Sequence, residues 1–246
     1  MEGNNSIIRA VGGTSGFDIP AVITAAHELK SPLALVRQLS LSLQAGECTP
    51  RDIEIVAERI TLTSERALRL TNDLTRAARL DDSLFCLEPI NPLTMLEDVA
   101  HELTPLYKAK GRKISVTARR YSLLAVANSD LLRRILLNFA DNALHYSAPE
   151  APVTLSASAM GAGERIRLSV RDFGPALPAD IWKSMEGAIG NGATHGIHAR
   201  PESSGLGIYI ANQFAEHMGA QVGVTRHRDG ATFYVDLNAS TQMRLL

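Results

Sequence analysis

Two successive stretches carry narrow apolar stripes at helical spacing, and they restrict the fold of the N-terminal third of the chain more than any other feature. Apolar residues recur at intervals of three and four from Val22 to Leu43, and at three, four and seven from Ile53 to Ala77. A turn at residues 45–50 separates the two stretches. A two-helix hairpin cannot bury both stripes alone, whereas hairpins from two chains can close a four-helix bundle. The pattern predicts a homodimer, and packing of the hairpin on its own chain is the alternative.

The first helix carries a histidine at the edge of its stripe. His27 is followed directly by Glu28, so an imidazole stands beside a carboxylate. Pro32 comes one turn later and cannot donate to the carbonyl of Glu28, which predicts a bend in the helix. An ordinary surface histidine with a neighbouring glutamate would explain the pair, but it would not explain a proline in mid-helix.

Composition excludes several classes of protein. The chain has 246 residues, of which 45% are hydrophobic and 21% charged, as in a folded protein of one or two domains. Lys and Arg total 25 against 26 Asp and Glu, so no basic surplus favours nucleic acid or anionic lipid. The two cysteines, Cys48 and Cys86, have neither disulfide-framework nor zinc-site spacing. No window reaches the roughly 20 apolar residues that cross a bilayer, so we expect no membrane contact by this chain itself.

The middle of the chain changes character. Residues 83–92 lack an apolar period and contain Pro89 and Pro92, which predicts a linker. Helical spacing resumes in residues 93–109 and 130–146. A second domain therefore follows the hairpin.

Alternating apolar and polar residues mark the strands of this second domain. Ile166, Leu168 and Val170 alternate with polar residues after the glycines of residues 160–163, which predicts an antiparallel hairpin. A second hairpin is predicted around Asp229-Gly230. The order of elements indicates an α+β fold, with helices on one face of a mixed sheet.

Three short segments of this domain carry polar groups suited to binding a ligand. Asn138 and Asn142 are four residues apart, so their amides share one helix face and can offer oxygens to a hard cation and donors to phosphates. Asp172 ends an alternating strand, where its carboxylate can accept from an amino group. Gly205 and Gly207 open a helix whose N-terminus can bind phosphates.

Together these segments resemble the boxes of the sensor histidine kinases of two-component signalling, in the family's order. The matching segments are His27–Leu33, Leu136–Tyr146, Asp172–Ala176 and Ser203–Ile208. The resemblance implies a dimeric helical hairpin followed by an α/β sandwich of the GHKL ATPase (Bergerat) type. It also implies an ATP- and Mg²⁺-dependent protein histidine kinase that phosphorylates itself and then an aspartate of a cognate response regulator. Its domains would be a tail (1–17), the dimerisation and phosphotransfer hairpin (18–82), the linker (83–92) and the catalytic domain (93–240).

The resemblance also implies a role for each matching residue. In the hairpin, His27 would accept the phosphoryl group, Glu28 would act as base or orient the ring, and Ser31 would occupy a position of the family's phosphatase pattern. In the nucleotide site, Asn142 would hold Mg²⁺, Asn138 would support metal and phosphates, His145 and Tyr146 would line the nucleotide, Asp172 with Gly174 would bind adenine, and Gly205, Leu206 and Gly207 would face the phosphates. Members of the family often follow membrane spans, so we expect a cytoplasmic chain, alone or within a membrane-bound parent.

Four departures from the family pattern keep two other functions open. Ala176 and Ser203 replace glycines, and His145 replaces a lysine or arginine. Residues 175–202, whose glycines suit the family's mobile ATP lid, have Trp182 as their only aromatic residue. These changes would fit a pseudokinase that serves as a dimeric scaffold. The positions of Glu28 and Ser31 would instead fit a phosphatase-dominant bifunctional protein.

Overall fold

Two long helices form the hairpin in the computed structural model, which describes residues 19–45, 49–79, 86–117, 123–148, 151–176, 179, 182–183 and 206–241. Helix α1 spans Ile19–Gln44 and continues through Pro32, and α2 spans Pro50–Ala77. Helix α2 begins with a capping box, in which the Thr49 hydroxyl accepts from the backbone N–H of Asp52 at 3.3 Å and the Asp52 carboxylate accepts from that of Thr49 at 3.0 Å. The predicted turn residues 46–48 lie outside the described part of the chain.

The apolar stripes of the hairpin are only partly buried within one chain. Leu39 is 8% exposed, but Leu33 of α1 and Ile53 of α2 are 61% and 48% exposed. Contacts within this chain therefore satisfy only part of the apolar surface that the spacing predicts.

Five strands form the main sheet, in the order β2-β4-β5-β7-β6. The strands are β2 (Ile114–Val116), β4 (Val153–Met160), β5 (Arg165–Arg171), β6 (Gln221–His227) and β7 (Gly230–Asn238). Only the β2–β4 pair is parallel, and both predicted hairpins, β4–β5 and β6–β7, are antiparallel neighbours. The sheet is therefore mixed, as the alternation predicts.

The predicted linker is partly wrong, because it contributes a strand. Residues Glu88–Ile90 form β1, which pairs antiparallel with β3 (Ala125–Ala127). Pro89 is compatible with this position because a two-stranded sheet consists of edge strands, where a missing N–H donor is tolerated. Residues 83–85 lie outside the described part of the chain.

Three helices supply the other half of the core: α3 (Pro92–Ala109), α4 (Ser129–Tyr146) and α5 (Leu206–His217). Buried side chains from all three contact inward-facing strand residues, and the Phe139 and Phe233 rings lie 5.8 Å apart. This is the helix-on-sheet sandwich that the sequence predicts. No helix in the described ranges is both long enough and apolar enough to span a bilayer.

One buried hydroxyl joins two of these helices. The Tyr107 side chain of α3 is fully buried, and its hydroxyl donates to the backbone oxygen of Ala140 in α4 at 2.7 Å. Burial raises the pKa of this phenol well above its usual range, so it keeps its proton.

We expect Tyr107→Phe to lower the free energy of unfolding by about 1 kcal/mol, the usual net contribution of one such hydrogen bond. Denaturant titration of the full chain measures this, and the far-ultraviolet circular dichroism should stay unchanged. An unaltered unfolding free energy would mean that the bond does not stabilise the α3–α4 contact.

Candidate functional site

Helix α4 has two chemically different faces, and burial of one fixes the position of the other. It begins at Asn128, whose side chain accepts from the backbone N–H of Leu131 at 3.1 Å. Its apolar face is fully buried and comprises Leu131, Leu132, Ile135, Leu136, Phe139 and Ala140. Asn138, Asp141 and Asn142 therefore face away from the sheet, into a cavity of about 690 Å³. The predicted sharing of one face by Asn138 and Asn142 is confirmed.

The start of α5 lies against the first of these asparagines. A Cβ placed on Gly207 would lie 3.7 Å from the Asn138 side-chain oxygen. The Asn138 amide nitrogen is buried and has no hydrogen-bond partner in the described part of the chain. Because a buried donor without an acceptor is unfavourable, this nitrogen is suited to an acceptor on a ligand. Gly205 lies outside the described residues, as do the side chains of His145 and Tyr146 at the end of α4.

Asp172 occupies a separate, buried position at the end of β5. It is 1% exposed, and its carboxylate accepts from the backbone N–H of Ala231 at 3.1 Å. Gly230 has φ +132°, and a Cβ there would lie 2.3 Å from the Asp172 backbone oxygen, so only glycine fits. The backbone of the β6–β7 turn therefore holds this carboxylate in place. Neither Asp172 nor the half-buried Gly174 lines the cavity.

One departure from the family pattern costs no backbone strain. Ala162 is the one non-glycine residue with a positive φ in the described ranges, so Ala176 does not adopt the left-handed conformation that would require glycine. The replacement of the last glycine in this box is therefore compatible with the fold.

The hairpin forms the opposite wall of the same cavity. Glu28 and Ser31 of α1 line it together with Asn138, Asn142, Leu206 and Gly207. His27 is exposed and does not line it. The cavity thus brings together most of the predicted site residues that the structure describes, but it leaves out His27, Asp172 and Gly174.

Two ion pairs that the sequence analysis did not predict join the hairpin to α4. Arg134 pairs with Asp73, which is only 6% exposed, and Arg76 pairs with Asp130 at 3.1 Å. Burial raises the pKa of the Asp73 carboxyl, while Arg134, Arg76 and Arg69 oppose this effect. Asp73 follows Leu70 by three residues and therefore lies on the apolar stripe of α2. An acidic residue on such a stripe indicates that a basic side chain of another element pairs with it.

Comparison with known proteins identifies the second domain. Residues 127–241 match the family described as histidine kinase-, DNA gyrase B-, and HSP90-like ATPase. The sensor protein GacS of Pseudomonas syringae pv. syringae is 27% identical over 220 residues, which cover 86% of this chain and 24% of GacS. This chain thus spans about a quarter of the length of that curated relative.

Two solved structures extend this likeness across the chain. Full-length ShkA in complex with AMPPNP is 27% identical with a TM-score of 0.61, over 92% of this chain and 47% of that one. Histidine kinase ThkA, solved with the response regulator protein TrrA, has a TM-score of 0.61 at 14% identity, over 89% of this chain and 61% of that one. The second likeness shows the fold alone.

We expect Arg134→Gln to lower the free energy of unfolding by about 3 kcal/mol, because it leaves Asp73 buried without its nearest cation. Denaturant titration of the full chain measures this loss. The control is Arg76→Gln, which removes a pair with 40% and 65% exposed side chains and should cost at most about 1 kcal/mol. Equal effects of the two substitutions would contradict a larger contribution of the buried Asp73–Arg134 pair to stability.

Proposed function

Residues 127–241 are an ATPase domain of the histidine kinase-, DNA gyrase B-, and HSP90-like family in a chain of the sensor histidine kinase type, and from this premise we propose that the chain is an ATP-dependent protein histidine kinase. It phosphorylates its own His27 and transfers the phosphoryl group to an aspartate of a response regulator. The observation that carries this proposal is the single cavity that joins Asn138, Asn142 and Gly207 to the turn of α1 next to His27.

The chemistry follows from neighbouring groups on α1. A neutral imidazole nitrogen of His27 attacks the γ-phosphorus of ATP, so that an N–P bond forms while the bond to the oxygen bridging to the β-phosphate breaks and ADP leaves. Glu28 accepts the proton released by the imidazole. Because His27 does not line the cavity, the transfer requires the ATPase domain to shift around the hairpin from the arrangement described.

The residues of the cavity fit a magnesium nucleotide. The buried Asn138 amide nitrogen can donate to a phosphate oxygen, and the Asn138 and Asn142 oxygens suit Mg²⁺, which prefers oxygen ligands from one or two side chains plus phosphates and water. When bound, the metal would offset negative charge on the phosphates. Asp172 would accept from the adenine amino group in its buried position.

The same hairpin supports a homodimer. Leu33 lies on an open face of α1 together with Ala26, Leu29, Lys30, Ala34 and Arg37. A second copy of the hairpin would supply the apolar surface that this chain leaves exposed. We take residues 18–82 as this dimerisation and phosphotransfer unit, preceded by the tail (1–17), and residues 93–240 as the catalytic domain. A response regulator would dock on the hairpin, as the ThkA complex with TrrA suggests. Because the proposed reaction consumes ATP, the cytoplasm is the expected location of the chain.

A phosphatase activity at the same place is a second candidate. Glu28 and Ser31 are three residues apart on α1 and line the cavity together. A hydroxyl and a carboxylate at this spacing can position a water molecule for attack on a phosphorylated partner. The pseudokinase alternative stays a prediction of the sequence. Of the departures that motivate it, Ala176 costs no backbone strain, and the His145 side chain and Ser203 lie outside the described part of the chain.

Incubation of the full chain with radiolabelled ATP and Mg²⁺ should label His27. The product is a phosphoramidate, so the label should be labile in acid and stable in base, and it should vanish in His27→Gln. Glu28→Gln should bind ATP normally and label about 10²-fold more slowly, because only the proton acceptor is lost.

Asn142→Asp and Asp172→Asn are the controls that link the label to the nucleotide site. Both should lose the label together with nucleotide binding measured by calorimetry. If the wild-type chain binds ATP and no acid-labile label appears on His27, the kinase proposal fails and the scaffold takes its place.

Sedimentation equilibrium should give about twice the 26.6 kDa mass of the chain at micromolar concentration. Leu33→Lys should shift the full chain towards the monomer, because a charge at the exposed stripe disfavours burial. Met160→Lys is the matched control, since Met160 is an exposed apolar residue at the end of β4, outside the helical hairpin. A wild-type monomer would count against the four-helix bundle.

A further inference from the structure

Arg171 is the last residue of β5 and directly precedes Asp172. Because side chains alternate along a strand, Arg171 lies on the sheet face opposite to the buried residues Leu168 and Val170. Its side chain is nevertheless only 17% exposed. An arginine this far from water needs partners for its guanidinium group.

The Arg171 guanidinium group joins the end of β5 to the turn between β6 and β7. One of its terminal nitrogens donates to the backbone oxygen of Asp172 and, at 3.4 Å, to that of Ala231. The other terminal nitrogen donates to the Asp229 carboxylate at 2.6 Å. The group also lies over the Phe173 ring, 4.3 Å from its centre. One planar side chain therefore holds together two segments that are 58 residues apart in the sequence.

The same turn fixes the direction of the Asp172 carboxylate. The backbone oxygen of Ala231 accepts from the Asp172 N–H at 3.0 Å, and the Ala231 N–H donates to the carboxylate at 3.1 Å. A Cβ on Gly230 would lie 2.6 Å from a carboxylate oxygen of Asp172 and 2.8 Å from a guanidinium nitrogen of Arg171. The turn, the carboxylate and the guanidinium group are therefore in direct contact, so a displacement of the turn would move the donor that orients the carboxylate.

A further backbone contact relates this carboxylate to helix α4. The N–H of Ala148, two residues past the end of α4, donates to the backbone oxygen of Phe173 at 2.7 Å. Arg171 stacks on the ring of this same phenylalanine. The segment that contains Asp172 is therefore bound both to the β6–β7 turn and to the helix that carries the paired asparagines.

We propose that Arg171 is a positioning residue for adenine recognition, which holds the β6–β7 turn through Asp229 so that the Asp172 carboxylate faces the adenine amino group. This inference rests on the proposed function, in which Asp172 accepts from that amino group. Arg171 acts through Asp172 and not on the nucleotide, because it lies on the opposite face of the sheet. A carboxylate with a fixed direction discriminates strongly between a base that offers an N–H and one that does not. Arg171 therefore determines the preference for adenine and leaves the contacts to the phosphates unchanged.

The test compares two nucleotides by calorimetry on the full chain with Mg²⁺. They are ADP and the diphosphate of purine riboside, in which a hydrogen atom replaces the adenine amino group. The wild-type chain should bind ADP about tenfold more tightly, the contribution of one hydrogen bond to a charged group. Arg171→Gln should weaken binding of ADP about tenfold and change binding of the purine riboside nucleotide less than about twofold, because only the contact to the amino group is lost.

Two further variants test the route through the turn. Arg171→Lys should recover part of the preference, since an ammonium group can pair with Asp229 but lacks the planar fork that also reaches the backbone oxygens. Asp229→Ala removes a carboxylate that is 67% exposed, and it should lower the preference for ADP about threefold.

Arg165→Gln is the matched control, because Arg165 is an arginine of the same strand and the same sheet face. It donates to Gln221 at 3.0 Å and lies about 20 Å from Arg171 along the strand. This substitution should leave both affinities unchanged.

The outcomes separate this inference from the proposed function. Equal weakening of both nucleotides in Arg171→Gln would mean a general loss of structure and would overturn the inference, as would an unchanged preference for ADP. Either result leaves the kinase proposal intact. A wild-type chain that binds both nucleotides equally would remove Asp172 as the adenine ligand, and this inference with it. Failure of the wild-type chain to bind ADP would instead overturn the proposed function itself.

Discussion

The burial of one face of α4 is the constraint on which the site depends. Leu132, Ile135, Leu136 and Phe139 are fully buried beneath the sheet, and together they contribute several kcal/mol of apolar stabilisation, at roughly 1.5–3 kcal/mol for each side chain. With this face held, a helix of 3.6 residues per turn has no freedom to turn Asn138 and Asn142 elsewhere. The core thus determines the direction of the amides, and the start of α5 closes against them through Gly207.

The hairpin changes the chemistry of that amide face. Alone, the ATPase domain would present Asn138 and Asn142 to water; with α1 and α2 beside it, the same residues face Glu28, Ser31 and the arginines of α2 across one enclosed space. A lower effective dielectric strengthens every charge interaction there. Docking of the two domains therefore changes the electrostatic surroundings of these amides.

Local patterns predicted most of this fold. The helical spacing of α2, the alternation in β5, and the glycine turns of both β-hairpins each act within a few residues, and the structure has them as expected. The strand β1 was missed because its partner, β3, lies more than 30 residues away, and because Pro89 within it and Pro92 after it are typical of a linker. The four-residue spacing of Asn138 and Asn142 was informative for the same local reason.

What the sequence could not predict depends on contacts between domains. Nothing in the spacing of α2 indicates that Asp73 meets Arg134, or that Lys110 at the end of α3 lies near Arg59 and Arg66. The exposure of His27 and its absence from the cavity likewise follow from how the ATPase domain lies on the hairpin. Periodicity identifies the face of a helix, but it does not identify what that face meets.

The Asp73–Arg134 pair has a consequence for how this chain can evolve. Substitution of either partner alone leaves the other as an unpaired buried charge, which is far more unfavourable than replacing both with apolar residues of similar volume. The more exposed residues Arg76 and Asp130 can be substituted one at a time. Asp73 and Arg134, which lie in different domains, have to be substituted together. A hairpin and an ATPase domain exchanged between related genes would keep this pair only where both parents carry it, so an exchange at the domain boundary can leave a buried charge unpaired even where each domain folds correctly.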